Sequence, residues 1–440
     1  RWASYRYHHH GGFVRSHHYF TTTHPSSSLQ RRKQGTASVF VAMSVQQAET
    51  VVPIKKGDVI WLDESLLIGF TMDKACSVKV SDLFCKEQTT DQIKFRVEDD
   101  ILDLSCLNDL RMEGEEERFL PGIIFVRKYM QWVLKCRLER ERDKGPTVLF
   151  GSPGIGKSVS AFLAAIAVAS TGRHKAVLYV RKVGDENETA TSVFWLTKTD
   201  DETVGIVACR DIDNGISVSE ICRNMALKFF DKNLNKSNNP TKNHIKIIVD
   251  GPRYEEKGDR AAGADLVTSG GCPPQSQQNR DEWHFPMNVW SFDELYSALK
   301  SLKKCNRSAV EKIFDTTGGS VRLADECCSE SGGVDMGALN SNQLWMKRAA
   351  DGQANDIVVK MAYTSFQLSA DVNSLDRLRS MIVKEPIAVG KKLFFEPTLV
   401  LASAYIARLL WSKLSISEVH GAMTASLVGI SNYGVTSCPS

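Results

Sequence analysis

The chain has 440 residues, of which 42% are apolar, enough for the cores of two or three domains, and no stretch reaches the roughly 18 apolar residues of a membrane-spanning helix. Residues 1–48 hold six of the 55 Lys and Arg residues and no acid, so the formal net charge of +3 comes from this segment. The rest of the chain has 49 basic and 52 acidic residues, which excludes nucleic-acid binding by charge alone and predicts no membrane partner.

Residues 1–48 are rich in His, Ser, Thr and Arg, a composition that cannot offset the entropy of folding, and we predict a disordered basic tail. Met43 is a plausible start of translation, which would leave residues 1–42 outside the native protein.

The eleven cysteines of the chain include no Cys-x-x-Cys pair. We interpret them as buried, reduced thiols of an intracellular protein rather than as disulfides, because a chain this long does not need disulfides.

Short apolar runs at residues 58–62, 77–81 and 93–97 predict strands, and therefore a small strand-rich or mixed α/β domain over residues 49–118. The acidic run at residues 113–117 is typical of a solvated linker. Beyond it, apolar residues at helical spacing predict an amphipathic helix over residues 123–142.

A phosphate-binding loop of the form G-x-x-x-x-G-K-S follows the apolar run at residues 147–150, which predicts a buried strand. The alanine-rich stretch at residues 159–170 then predicts a helix that is buried on nearly all sides. Strand, loop and buried helix together are the context in which this motif binds a nucleotide. The predicted nucleotide contacts are Gly151, Ser152, Pro153, Gly154, Ile155, Gly156, Lys157 and Ser158.

Within this loop, Lys157 would contact the β- and γ-phosphates, and the Ser158 hydroxyl would bind Mg²⁺. The β-branched run at residues 245–249 predicts a second strand, and Asp250 at its end would bind the metal through its water shell. Gly251 follows, where many ATPases have a glutamate that activates water. Glu255 or Glu256 would have to take over the role of that glutamate, and the alternative is that both are ordinary surface residues. Because the water-activating glutamate is missing from its usual position, we predict slow turnover.

Further strands are predicted at residues 176–181, 192–197, 204–208 and 264–269, with a helix at residues 218–230. Alternating strands and helices around a phosphate loop predict an α/β fold, specifically a three-layer P-loop NTPase core over residues 119–270. Thr268 or Ser269 would sense the γ-phosphate, or would simply form a turn.

Residues 271–330 are predicted to form a helical subdomain, which resembles the lid of AAA and STAND ATPases. A capping box opens a helix at residues 291–304, and a second helix covers residues 308–315. Arg322, at the start of the next helix, would contact the γ-phosphate, although a surface arginine is an equal alternative.

Residues 331–440 form a variable, partly helical C-terminal region, with helices predicted at residues 371–382 and 399–414. Asp371, Glu385 and Lys391 are the residues from which a nuclease site would have to be built. Their spacing does not support one, and we interpret them as solvated charges.

Four stretches of the chain match a known class of proteins: residues 148–158, Ile248-Val-Asp-Gly-Pro252, Met287-Asn-Val-Trp-Ser-Phe-Asp-Glu-Leu295 and Gly318-Gly-Ser-Val-Arg322. Through these stretches, the chain resembles the Crinkler and retrotransposon hot-spot class of P-loop proteins. The resemblance covers roughly residues 120–330, and it implies a P-loop ATPase module beside a variable C-terminal region. It also implies a location in the nucleus or cytoplasm, or secretion to a host nucleus for a true Crinkler effector; we see no signal peptide.

Three functions remain open at this point. The first is a Mg-ATP-dependent switch or slow ATPase that acts on an unknown protein partner, with Lys157, Asp250 and Arg322 as catalytic residues. ATP is expected because no guanine-reading Asn-Lys-x-Asp motif follows the loop. The second, suggested by the missing glutamate, is a non-enzymatic, nucleotide-stabilised effector or scaffold. The third is a nucleic-acid-associated nuclear protein, which rests on family analogy only.

Overall fold

The computed structural model describes residues 71–86, 93–110, 120–140, 146–174, 176–183, 190–210, 245–251, 264–268, 283–352, 378–383, 387–389, 392–394 and 397–418. All of these residues belong to one compact unit, residues 54–440. Within these ranges, every helix is too short or too polar to cross a bilayer. Several predictions concern residues outside the described ranges: the tail, the segments at 58–62, 113–117 and 218–230, and Glu255, Glu256, Ser269, Asp371, Glu385 and Lys391.

The described strands form one large sheet and four two-stranded ribbons, which pair β2 with β3, β4 with β5, β13 with β16 and β14 with β15. The strands are β1 (Thr71–Lys79), β2 (Phe84–Lys86), β3 (Ile93–Phe95), β4 (Ile101–Asp103), β5 (Ile123–Phe125), β6 (Thr147–Gly151), β7 (Ala176–Val183), β8 (Ala190–Lys198), β9 (Thr203–Arg210), β10 (Ile245–Asp250), β11 (Asp265–Val267), β12 (Trp283–Met287), β13 (Arg379–Val383), β14 (Ile387–Val389), β15 (Lys392–Phe394) and β16 (Pro397–Leu401).

The large sheet has eight strands in the order β1-β9-β8-β7-β10-β11-β6-β12. The five strands from β7 to β12 in that order are parallel, and β8, β9 and β1 extend the sheet with antiparallel pairs. The predicted α/β class is therefore confirmed, as are the predicted strands of the central sheet. The three-layer P-loop NTPase assignment stays a prediction, since the segment between β9 and β10 lies outside the described ranges.

The first helices are α1 (Val80–Leu83), a 3-10 turn (Ser105–Leu110), α2 (Lys128–Arg140) and α3 (Lys157–Ser170). Residues 161–169 of α3 are all buried, as the alanine-rich sequence predicted. The Phe162 ring packs at 5.2 Å from Tyr179 on β7 and at 5.0 Å from Phe194 on β8, measured between ring centroids. Helix α3 is thus held in the core by aromatic contacts with two neighbouring strands.

The prediction of one helix over residues 123–142 is wrong at its start. Residues Ile123–Phe125 form β5, which pairs with β4, and the Val126 amide donates to the carbonyl oxygen of Asp100 at 2.7 Å. The helix begins only at Lys128. Two isoleucines and a phenylalanine favour a strand once a partner strand is present, and tertiary pairing then overrides the helical periodicity.

The remaining described helices are α4 (Phe292–Lys303), α5 (Arg307–Thr317), α6 (Val321–Glu326), α7 (Met336–Asp351) and α8 (Ala404–Trp411). The predicted capping box is confirmed: Ser291 Oγ accepts from the Glu294 amide at 3.2 Å, and a Glu294 carboxylate oxygen accepts from the Ser291 amide at 3.0 Å. Asn306 caps α5, which is slightly longer than predicted. That these helices act as a lid stays a prediction.

Both helices predicted in the C-terminal region need correction, the first of them only at residues 379–382, because residues 371–377 lie outside the described ranges. Residues 379–383 and 397–401 are antiparallel strands, β13 and β16, and only residues 404–411 of the second prediction are helical. Ser403 Oγ accepts from the Ile406 amide at 3.2 Å and so sets the start of α8. The apolar runs were compatible with either structure, and strand pairing decides between them.

A turn before α6 brings the C-terminal region close to the rest of the fold. Gly318 has φ of 57°, and a Cβ on it would overlap the carbonyl oxygen of Ala402. Arg408 of α8 also forms a bidentate ion pair with Asp315 of α5. The main chain at Ala402 therefore fills the space that a side chain at position 318 would need.

The domain boundaries predicted at residues 118/119, 270/271 and 330/331 stay predictions. The structure adds that β1, within the predicted lead-in domain, pairs with β9 at the edge of the central sheet. This pairing extends from Thr71 to Lys79, with one irregularity between Met72 and Lys74. The lead-in segment thus contributes a strand to the same sheet that carries the phosphate loop.

The prediction that all cysteines are reduced is wrong for one pair. Cys305 and Cys328 form a disulfide between segments that are 23 residues apart in sequence. Cys305 follows α4 and Cys328 follows α6, and the Lys303–Asp325 ion pair, at 2.8 Å, joins the same two segments. The two thiols come together because the ends of α4 and α6 pack against each other in the fold. The spacing of the cysteines along the sequence could not predict this pair.

We expect Phe162→Ala to lower the free energy of unfolding by about 3–5 kcal/mol, because it leaves a cavity among fully buried aromatic rings. Urea denaturation followed by circular dichroism measures the effect. The matched control is Ile416→Ala at a side chain that is 89% exposed, which should change stability by less than about 0.5 kcal/mol. Equal losses for both variants would contradict this packing of α3.

Thiol alkylation should distinguish the described cysteines. Burial raises the pKa of Cys76 and of Cys136 to about 12, so at pH 8 they hold little of the reactive thiolate, whereas Cys85 is exposed. Iodoacetamide followed by peptide mass spectrometry should label Cys85 first, and a non-reducing digest should yield a peptide that joins Cys305 to Cys328. Urea-unfolded protein is the control, and equal native rates for Cys76 and Cys85 would contradict the expectation.

Candidate functional site

The turn between β6 and α3 depends on glycine backbone geometry: φ is 152° at Gly151, 73° at Gly154 and 96° at Gly156. A Cβ at Gly154 would lie 2.5 Å from Ser320 Oγ, and one at Gly151 would overlap the carbonyl oxygen of Met287. These glycines let the main chain turn tightly into the amino end of α3. The first N–H groups of a helix and its dipole favour an anion at that position.

Lys157 is buried, with 6% of its surface exposed, and its ammonium group lies against the loop. Its Nζ donates to the carbonyl oxygen of Gly151 at 2.9 Å and to that of Ser152 at 2.6 Å. The side chain therefore folds back over the turn instead of extending into solvent. A positive charge held beside helix N–H groups adds to the anion preference of the loop.

Ser158 and Asp250 meet at the carboxyl edge of the parallel strands. Ser158 Oγ donates to Asp250 Oδ1 at 3.1 Å. Because β10, β11 and β6 are parallel neighbours, the end of β10 comes next to the loop that follows β6. A hydroxyl and a carboxylate side by side are the hard oxygen ligands that Mg²⁺ prefers.

Two residues of β7 also hold Asp250, and the sequence did not single them out. The Tyr179 hydroxyl donates to Asp250 Oδ2 at 2.9 Å and lies 3.2 Å from the Ser158 carbonyl oxygen, while Arg181 Nε lies 3.7 Å from Asp250 Oδ2. Tyr179 and Arg181 are two residues apart, so they share one face of the strand. In the sequence these two residues lie in an otherwise apolar run. Their polar end groups were the only sign that they would contact a site residue.

Asp250 is a fully buried carboxyl, and this burial raises its pKa above the ordinary value. The positive charge of Arg181 opposes the rise most strongly, followed by the hydrogen bonds from Ser158 and Tyr179. The pKa of Tyr179 is also raised, first by burial and then by the neighbouring Asp250. Asp250 thus sits in an environment where additional positive charge would favour its ionised form.

The residue after Asp250 is Gly251, so the position that holds a catalytic glutamate in many ATPases has no side chain here. Gly251 has φ of 108°, and its amide donates to the Val267 carbonyl oxygen at 2.9 Å. Thr268, at the end of β11 between β10 and β6, donates its amide to the Leu149 carbonyl oxygen. The Thr268 hydroxyl is buried and makes no hydrogen bond in the part of the chain that the structure describes. Contact of this hydroxyl with a γ-phosphate stays a prediction.

Helix α6 begins directly on the phosphate loop. The Arg322 amide donates to the Gly154 carbonyl oxygen at 3.1 Å, and Ser320 lies against the same glycine. The Arg322 side chain is exposed. The structure therefore brings the backbone of Arg322 to the predicted site, while contact of its guanidinium group with a γ-phosphate stays a prediction.

No protein-family model and no curated protein matches the chain. Among solved structures, the chain is similar to a signal transduction ATPase with numerous domains (STAND) from Pyrococcus horikoshii that has a tetratricopeptide repeat sensor. The sequences are 12% identical and the TM-score is 0.27, over 67% of this chain and 43% of that one. This chain thus spans less than half of that protein, and the likeness is too weak to assign a family or a function.

We expect Tyr179→Phe to lower the free energy of unfolding by about 1–3 kcal/mol, because it removes a donor from the buried Asp250. Urea denaturation measures the loss. Tyr296→Phe, at a half-buried tyrosine that stacks on Phe292, is the matched control and should change stability less. If both variants lose the same free energy, the hydroxyl of Tyr179 does not support Asp250.

Proposed function

We propose that the protein is a Mg-ATP-binding P-loop NTPase that works as a nucleotide-dependent switch or slow ATPase. The observation that carries the proposal is the hydrogen bond between Ser158 and Asp250 beside a glycine turn and a buried lysine. Each group alone is common in proteins. Together they supply an anion cradle, a positive charge and two oxygen ligands for a metal.

The residues present fit a triphosphate. Main-chain N–H groups at the start of α3 would bind phosphate oxygens, and Lys157 would exchange its bonds to the loop carbonyls for bonds to the β- and γ-phosphates. The glycines at positions 154 and 156 allow phosphate to approach the main chain closely.

The donor set also fits Mg²⁺. Ser158 Oγ and the Asp250 carboxylate would hold the ion, which neutralises charge on the phosphates when it is bound. The work of this chain's own residues is to fix Asp250: Tyr179 and Arg181 hold one carboxylate oxygen and leave the other facing Ser158.

Slow turnover is favoured over efficient hydrolysis. A fast ATPase needs a base that orients and deprotonates water, and Gly251 leaves no such group directly after Asp250. Thr268 and Arg322 would contact the γ-phosphate, and loss of that phosphate would release α6 from the loop. The chemistry of these residues supports a switch better than a rapid enzyme.

Membership of the Crinkler and retrotransposon hot-spot class is also part of this proposal, and it rests on the four sequence stretches alone. With it come an unknown protein partner and a location in the nucleus or cytoplasm. Nucleic acid as a partner has family analogy as its sole support.

Isothermal titration calorimetry of Mg-ATP into the full chain tests nucleotide binding. Lys157→Ala should weaken binding about 10- to 100-fold, since it removes charge-assisted hydrogen bonds to phosphate. Lys312→Ala, at an exposed lysine of α5, is the matched control and should bind like the parent protein. A Lys157→Ala protein that binds Mg-ATP as tightly as the parent would overturn the proposal.

Phosphate release then separates the switch with slow turnover from the non-enzymatic scaffold. The parent protein should release phosphate slowly but faster than Ser158→Ala, which lacks the hydroxyl ligand for Mg²⁺. Binding without any release above that variant would favour the scaffold alternative.

A further inference from the structure

Trp290 lies between the phosphate loop and the helices that follow the sheet. It is 4% exposed, and its indole Nε1 donates to the carbonyl oxygen of Ile155, in the middle of the loop, at 3.1 Å. Its own amide donates to the Gly319 carbonyl oxygen, just before α6, at 3.0 Å. One residue therefore binds the loop through its side chain and the start of α6 through its main chain.

The indole hydrogen bond sets the orientation of a loop peptide. In a trans peptide the C=O and the following N–H point in opposite directions, and the described residues include no cis peptide bond. Holding the Ile155 carbonyl on the side of Trp290 directs the Gly156 N–H to the opposite side. The Arg322 amide does the same for the preceding peptide by binding the Gly154 carbonyl. Two consecutive N–H groups of the cradle are thus oriented from outside the loop.

Arg127 holds Trp290 in place. Its guanidinium carbon lies 4.8 Å from the centre of the Trp290 ring, and the group donates to the carbonyl oxygens of Asn288, at 2.7 Å, and Val289, at 3.1 Å. It also makes a bidentate pair with Glu294, with distances of 3.2 and 2.9 Å. Arg127 is 3% exposed and the Glu294 side chain 33% exposed, so the guanidinium group is held between the indole ring and a partly solvated carboxylate.

The link between β12 and α4 is consequently rigid. Main-chain groups of four consecutive residues, 288–291, take part in hydrogen bonds to Arg127, Gly319 or Glu294. Glu294 serves both this link and the cap of α4. A rotation of the peptide after Ile155 would therefore move the Trp290 indole ring, and through it the starts of α4 and α6.

We propose that Trp290, braced by Arg127 and Glu294, is a positioning residue that orients the phosphate loop and couples its occupancy to α6. The inference rests on the proposed nucleotide binding and deepens it, because it states how the loop and the following helices communicate. A tryptophan that merely fills the core would stabilise the fold without affecting the response of α6 to nucleotide.

The test compares Trp290→Phe with the parent in the full chain. The variant keeps an aromatic ring for Arg127 and Phe125 but lacks the indole N–H. Calorimetry with Mg-ATP should show binding weakened roughly 2- to 10-fold, the amount expected for one hydrogen bond. Hydrogen–deuterium exchange of the α6 peptide, residues 321–326, should slow on addition of Mg-ATP in the parent and change much less in the variant.

Trp411→Phe is the matched control, at a tryptophan of α8 that is 37% exposed, and it should match the parent in both measurements. If Trp290→Phe does not fold, the variant Glu294→Gln is used instead. Glu294→Gln keeps the shape of the side chain but removes the negative charge opposite Arg127. It should weaken Mg-ATP binding and the α6 response in the same direction as Trp290→Phe, but less. Parent-like affinity and parent-like α6 response would overturn the inference, and so would weaker binding with an intact α6 response. A parent protein that binds no nucleotide would instead overturn the proposed function.

Discussion

A carboxylate buried completely at the edge of a parallel sheet is the constraint on which the rest of the site depends. Moving an unpaired carboxylate out of water costs several kcal/mol, so Asp250 is tolerable only with donors around it. Ser158 on α3 and Tyr179 on β7 donate hydrogen bonds to it, and Arg181 on β7 places a positive charge 3.7 Å away. The sheet order that makes β7 and β10 neighbours is therefore a requirement of the site as well as a feature of the fold.

A second set of contacts holds carbonyl groups of the phosphate loop. Asp250 accepts a hydrogen bond from Ser158, whereas Trp290 and the amide of Arg322 donate to the carbonyl oxygens of Ile155 and Gly154. The loop therefore combines glycines that permit its tight turn with hydrogen bonds from Trp290 and Arg322 that fix two of its peptides. Preorganisation of this kind lowers the ordering cost of binding a phosphate group.

The sequence predicted the parts of the fold whose pattern is local. The loop, the fully buried α3 and the capping box at Ser291 carry their signal within about a dozen residues, and the structure has them in place. Strand β5 and the C-terminal ribbon of β13 and β16 depend on partners far along the chain, so helical spacing misled the prediction. Tyr179 and the Cys305–Cys328 pair were missed for the same reason: their roles come from neighbours that only folding provides.

The turn at Gly318 has a consequence for how this protein can vary. The carbonyl group of Ala402 occupies the place of a missing side chain there, one residue from the Gly319 carbonyl that binds Trp290. What the C-terminal region contributes at this point is its chain path and not the identity of its side chains. An insertion or deletion between β16 and α8 would shift the Ala402 backbone, which packs against Gly318 one residue from the carbonyl group that binds Trp290.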